Sequence, residues 1–136
     1  MLNQTSEYAL RVVALIASRP PEEPSHATEL AATLDVPANC LSKILHQLAA
    51  AGILASRRGR HGGFVLAKPA ARLRLATVIA PFEDVAAYRT CLLGHSVCND
   101  RVACVAHHRW KPIAEPILRF LADTTVESLA QSGGDP

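Results

Sequence analysis

Apolar and polar residues follow one another along this chain in blocks whose spacing predicts the elements they form. Over residues 5–18, Tyr8, Leu10, Val12, Val13, Leu15 and Ile16 fall on one broad helical face, which ends before Arg19-Pro20-Pro21. The Pro- and Glu-rich stretch 20–24 predicts a loop. Ser25 is placed to cap a second helix, with Glu29 in its first turns and Leu30, Ala31 and Leu34 facing inward. After a tight connection at Asp35-Val36, Pro37 suits the first position of a third helix. That helix carries Leu41, Ile44, Leu45 and Leu48 at spacings of three and four, and Gly52 stops it. Two short helices joined by a brief turn read as a helix-turn-helix.

The period then changes. Ile53-Leu54-Ala55-Ser56 and Phe64-Val65-Leu66-Ala67 are short extended runs around the basic, glycine-rich segment Arg57-Arg58-Gly59-Arg60-His61-Gly62-Gly63. This predicts a β-hairpin with a flexible tip, the wing of a winged helix-turn-helix. Residues 75–82 predict one more short helix, interrupted by Pro81. Residues 91–106 have no clean period and predict a loop. From 107 to 123, Trp110, Ile113, Ile117, Phe120 and Leu121 regain helical spacing; Pro112 suits its first turn, whereas Pro116 should kink it or move its start later. Thr124-Thr125-Val126-Glu127 has the spacing of a capping box for a last short helix, and residues 133–136 read as a frayed tail. The expected fold is mainly α, with residues 1–84 as a winged helix-turn-helix DNA-binding domain and residues 85–136 as a cysteine-rich loop followed by a C-terminal helix.

Of the 136 residues 49% are hydrophobic but only 4% aromatic, so the core must be built from Leu, Ile, Val and Ala. The longest apolar runs are too short to cross a bilayer, and no basic segment followed by an apolar one opens the chain. A cytoplasmic protein is expected, in which thiols stay reduced and four cysteines argue for metal or redox chemistry rather than disulfides. The net charge of +2 says little, but its distribution says more. Residues 52–74 contain Arg57, Arg58, Arg60, Lys68, Arg72 and Arg74 and no acidic residue, the footprint of an element that meets a phosphate backbone.

Within seventeen residues stand Cys91, Cys98, Cys104 and His107. Thiolates suit iron–sulfur clusters and zinc. No Cys-x-x-Cys pair is present, which disfavours a zinc ribbon; unliganded redox thiols are the remaining reading. On the third helix, Pro37, Ala38, Asn39, Ser42, Lys43 and His46 avoid the apolar stripe. Asn39 can pair with adenine, Ser42 with a base edge or phosphate, and Lys43 with a phosphate. Arg58 and Arg60 are candidates for a minor groove, with Arg57 and His61 on the backbone. Cys40 reads as a small hydrophobe at the core edge. No nucleophile elbow, P-loop or dinucleotide fingerprint occurs, so an enzyme is not expected.

From about Ser6 to Leu129 the chain resembles the Rrf-type winged-helix regulators, a family that includes the iron–sulfur regulators IscR, NsrR and RirA. The resemblance rests on Glu7-Tyr8-Ala9-Leu10-Arg11, on the third helix from Leu41 to Gly52, and on Arg58-Gly59-Arg60-His61-Gly62-Gly63-Phe64-Val65-Leu66. The spaced cysteines and Trp110 complete it. It implies a homodimer on pseudo-palindromic promoter DNA, with a long C-terminal helix at the dimer interface and no membrane partner. It also implies an iron–sulfur cluster on Cys91, Cys98 and Cys104, with [2Fe–2S] favoured and [4Fe–4S] the alternative. His107 then matches the IscR-type fourth ligand; Glu7 is the competing candidate, aligned with an acidic ligand that NsrR-like members take from the partner subunit. His95 and His108 are expected to be bystanders. Two departures stand out: the first cysteine interval is one residue longer than is usual, and Cys40 replaces a frequent aromatic. The expected function is a promoter-binding regulator, a repressor by preference, controlled by its cluster. A cluster-free thiol-redox repressor is the rival of the same fold, and a small iron–sulfur electron carrier or scaffold the rival of another class, for which the basic wing would be idle.

Overall fold

The computed structural model describes residues 2–86, 91–132 and 134–136. Three helices come first: α1 (Gln4–Ala17), α2 (Ala27–Leu34) and α3 (Ala38–Ala50). A two-stranded antiparallel hairpin follows, β1 (Leu54–Arg57) and β2 (Gly63–Leu66), in the register Leu54↔Leu66 to Arg57↔Gly63. After a 3₁₀ turn at Ala70–Arg72 come α4 (Leu75–Ile79), α5 (His107–Asp123) and α6 (Val126–Gln131).

The core forms where the apolar stripes of these elements meet. Ala9, Val12 and Val13 of α1 are fully buried at its centre, against Leu30, Leu41, Leu45, Leu48, Leu73 and Val78. Aliphatic side chains dominate it, as the composition requires. Phe64 is its one buried aromatic ring among the described residues, and Cys40 packs at its edge. Leu121 and Val126 join the same cluster, so the end of α5 and the start of α6 are built into the N-terminal core.

Capping explains most of the boundaries. Asn3 caps α1, its Oδ1 accepting from the Ser6 N–H at 2.7 Å, while Glu7 in the first turn complements the helix dipole. Helix α3 ends in a Schellman turn. Gly52, at φ +77°, donates to Ala49 O and Ile53 donates to Leu48 O.

Five local expectations are corrected. Ser25 does not cap α2; His26 occupies that position without a side-chain bond. The Ser25 backbone instead pairs with Phe64, exchanging hydrogen bonds of 3.0 and 2.8 Å, which draws it into the hairpin as a third edge. Pro37 is the N-cap of α3 rather than its first residue. The α6 cap is Thr125, accepting from the Ser128 N–H at 3.2 Å, one residue later than the Thr124–Glu127 spacing implies. Helix α5 starts at His107 despite Pro116, and it encloses both prolines. The tail is not loose at its last residue, since Arg11 Nε donates to Pro136 O at 3.2 Å; Gly133 lies outside the described residues.

Long polar side chains fix the angles between elements. Arg19, at the end of α1, meets Glu29 of α2 through two bonds of 2.6 Å and donates to Ser25 Oγ at 3.0 Å. The pairing holds the Glu29 carboxyl below its ordinary range. At the other end of the molecule, Arg74 donates to Asp123 O, Leu75 N–H to Thr124 O and Val126 N–H to Leu73 O. These three bonds fasten the α5–α6 elbow to the start of α4.

Candidate DNA interface and metal centre

Helix α3 turns two faces outward and inward by its period alone. Leu41, Ile44, Leu45 and Leu48 are buried, whereas Asn39, Lys43, His46 and Gln47 are exposed and Ser42 is half-buried. The exposed face adjoins the hairpin, because the His46 ring meets Phe64 of β2 edge-on with centroids 5.8 Å apart. Arg57, Arg58, Arg60 and His61 are all exposed on the hairpin. Its tip leans toward α2, where His26 Nε2 lies 3.4 Å from Arg60 O.

Two glycines set the shape of that tip. Gly63, at φ +140°, passes so close to Ser25 that a Cβ there would lie 2.3 Å from the Ser25 carbonyl oxygen. A Cβ on Gly62 would lie 2.2 Å from Arg57 O. Both contacts are with backbone, which has no rotamer to yield. The basic side chains are thus displayed by a turn that only glycine can make.

The second constellation lies in the loop 91–106 and the first turn of α5. The sulfurs of Cys91, Cys98 and Cys104 lie within 4.8 Å of one another. Cys91 Sγ is 3.4 Å from Cys104 Sγ, and Cys98 Sγ is 3.5 Å from His107 Nδ1. Local turns make this convergence possible. Gly94, at φ +80°, returns a hydrogen bond to Cys91 O, and Asn99 Oδ1 accepts from the N–H groups of Arg101 and Val102. The His107 N–H donates to Cys104 O, so the helix begins where the third cysteine ends.

The electrostatics of the trio are uneven. Burial pushes the Cys91 thiol up, but hydrogen bonds from the His95 backbone, the Cys104 thiol, the Leu93 backbone and the Cys98 thiol outweigh it and bring it down to about 6. Cys98 goes the other way. A bond from the Cys104 backbone favours its thiolate, yet desolvation and the neighbouring thiols together raise it. Negative charge in the trio is thus favoured on Cys91 and disfavoured on Cys98.

His107 is 8% exposed. Its Nε2 lies 2.8 Å from Asp100 Oδ1, and Lys111 Nζ holds the same carboxylate at 3.0 and 3.2 Å. These bonds, from His107 first and then Lys111, hold the Asp100 carboxyl down to about 2. His108 is exposed and meets the His107 ring edge-on, 5.2 Å between centroids. Glu7 is exposed in the first turn of α1, outside the three-sulfur group of this chain. A cleft of about 600 Å³ opens beside the centre, lined by Asp100, His107, Trp110, Lys111 and Leu118 among others. Three thiols drawn together, with the His107 imidazole beside Cys98, are a donor set whose chemistry suits an iron–sulfur centre or zinc.

Sequence reasoning did not single out Asp100 or Lys111. No motif marks them, although His107 and Lys111 do stand one helical turn apart.

Comparison with known proteins bears on the family and the fold. The family model described as Rrf2, iron-dependent transcriptional regulator, matches residues 2–132. The HTH-type transcriptional regulator NsrR of Geobacillus kaustophilus is 29% identical, over 96% of this chain and 89% of its own. The regulator IscR of Xenorhabdus nematophila is 24% identical, over 96% and 79%. Among solved structures, CymR, the global cysteine regulator of B. subtilis, superposes with a TM-score of 0.80 at 23% identity over 98% of both chains. That likeness establishes the winged-helix fold. Among the described residues, no helix is long and apolar enough to cross a membrane.

Proposed function

Because the chain belongs to the Rrf2 family of iron-dependent transcriptional regulators, we propose that it is a cytoplasmic, promoter-binding repressor. Its DNA occupancy is set by an iron–sulfur cluster on Cys91, Cys98, Cys104 and His107. The observation that carries this reading is the convergence of three sulfurs within 4.8 Å, with His107 Nδ1 against one of them. When bound, the cluster supplies a redox couple and a centre that small reactive molecules attack. Four donors and an imidazole among them favour [2Fe–2S]; [4Fe–4S] is the alternative.

The rest is done by the chain itself. Residues 1–84 read DNA: Asn39 meets a base edge in the major groove, Ser42 a base edge or a phosphate, Lys43 a phosphate, and Arg58 and Arg60 the minor groove, with Arg57 and His61 on the backbone. Residues 85–136 hold the metal and join two copies. The join is supported by α5, whose Ile113 and Phe120 are 56% and 55% exposed although the helix buries Ala114, Leu118 and Leu121 on its other face. The loop 91–106 takes one arrangement when its donors are engaged and another when they are free, and DNA affinity follows whichever arrangement it favours.

Anaerobically purified protein tests this. It should be coloured and contain iron and acid-labile sulfide, and Cys98→Ala should lose most of both. His107→Ala should alter the visible spectrum while Glu7→Ala leaves it intact; the reverse result would move the fourth ligand to the partner subunit's carboxylate. Zinc without sulfide, or full iron and sulfide in the triple cysteine variant, would refute the cluster. One distance favours a second reading, a thiol-redox repressor: Cys91 Sγ and Cys104 Sγ are 3.4 Å apart. In that case oxidation of metal-free protein by diamide should join Cys91 to Cys104 in peptide maps, leave Cys98 free to alkylate, and change DNA affinity with no iron present.

A further inference from the structure

The imidazole of His107 has two nitrogens with different neighbours, and the loop decides which of them is free. Nε2 faces Asp100 Oδ1 at 2.8 Å, while Nδ1 faces Cys98 Sγ at 3.5 Å. An ionised carboxylate only accepts hydrogen bonds, so Nε2 must carry the proton in that contact. In a neutral imidazole this leaves the lone pair on Nδ1, the nitrogen that faces the Cys98 sulfur. Burial of the ring, with 8% left exposed, limits competition from water.

We infer that Asp100 is a positioning residue, which commits His107 to its Nε2–H tautomer and so presents Nδ1 to the metal centre. Lys111 keeps it in place. That ammonium contacts both carboxylate oxygens, and it stands four residues after His107 on α5, so the two partners of Asp100 are stacked on one helix face. Asp100 thereby joins the loop that carries Cys98 and Cys104 to the helix that carries the imidazole. The partner on the far nitrogen of a ligating histidine fixes both its tautomer and its ring orientation, and losing it weakens metal retention by ~10–100-fold. The inference rests on the proposed ligation by His107.

The test has two arms. In metal-free, full-length protein labelled with ¹⁵N-histidine at pH 8.5, long-range proton–nitrogen correlations report the tautomer, with His107 assigned by comparison with His107→Gln. Wild type should show Nε2–H, and Asp100→Ala should move a substantial fraction to Nδ1–H. Asp100→Asn, which keeps an oxygen acceptor, should stay near wild type. In protein reconstituted with iron and sulfide, Asp100→Ala should lose iron to a chelator ~10–100-fold faster, with Lys111→Met intermediate. Circular dichroism checks that each variant folds; should Asp100→Ala not fold, Lys111→Met and Asp100→Asn carry the comparison. Wild-type tautomer and iron retention in the variants, alongside an altered spectrum in His107→Ala, would overturn the role of Asp100 while sparing the ligand. An unaltered spectrum in His107→Ala would overturn both, because the tautomer would then have no metal to serve.

Discussion

Phe120 offers the most direct test of the proposed dimer. It sits on α5 with 55% of its surface exposed, seven residues after Ile113 on the same face. A phenylalanine has roughly 200 Å² to bury, so about 110 Å² of this one remains for a partner to cover. At about 25 cal/mol per Å² that is worth ~3 kcal/mol, of which alanine, keeping its Cβ, forfeits ~2 kcal/mol. A two-fold dimer counts the loss twice, ~4 kcal/mol, so Phe120→Ala should raise the dimer dissociation constant roughly a thousandfold. Sedimentation equilibrium across a concentration series measures it. The same variant should keep its helical content and melting temperature at concentrations where both proteins are monomeric, because the core face of α5 is Leu118 and Leu121 instead. If Phe120→Ala dimerises as tightly as wild type, α5 does not form the interface.

Arg58→Ala should weaken DNA binding and flatten its logarithmic dependence on salt by about one unit for each phosphate that the guanidinium neutralises. Equal affinity at every salt concentration would remove the wing from the interface. Gly63→Ala should break the Ser25–Phe64 pairing, since its Cβ would lie 2.3 Å from a backbone oxygen, and lower stability by ~1–3 kcal/mol. Its DNA affinity should fall while iron and sulfide content hold; an undisturbed melting curve would show that the strand edge has more room than its geometry gives.

The elements that could be read from the sequence are those whose cause is local. Leu41, Ile44, Leu45 and Leu48 mark α3 by their own spacing, and Gly52 ends it by its own φ. The hairpin announces itself through two short apolar runs about a glycine-rich turn. What the sequence hides depends on partners far away in the chain. Ser25 has the right residue type for a helix cap, yet Phe64, remote in sequence, claims its backbone. In the candidate metal site, Cys91, Cys98, Cys104 and His107 are visible as residue types that share a chemistry. Asp100 is not, because a carboxylate beside an asparagine in a loop carries no signal until His107 folds back onto it. The two stripes of α5 are also merged in the periodicity: Ile113 and Phe120 face away from the core that Leu121 enters, and hydrophobicity alone does not say which face meets the same chain.

The bonds that fasten the elbow after α5 to the start of α4 have a mechanical consequence. Helix α5 is seventeen residues long, about 25 Å at ~1.5 Å per residue. Leu121, near one end, belongs to the core, while His107 and Lys111, at the other, hold the cysteine loop. The helix is therefore a lever with its fulcrum at Asp123–Thr124 and its load beside the sulfurs. A tilt of about 10° at the fulcrum sweeps the loaded end through ~4 Å, most of the rise of one helical turn. On the proposed cluster mechanism, a small rearrangement of the sulfur donors would reach that joint as torque.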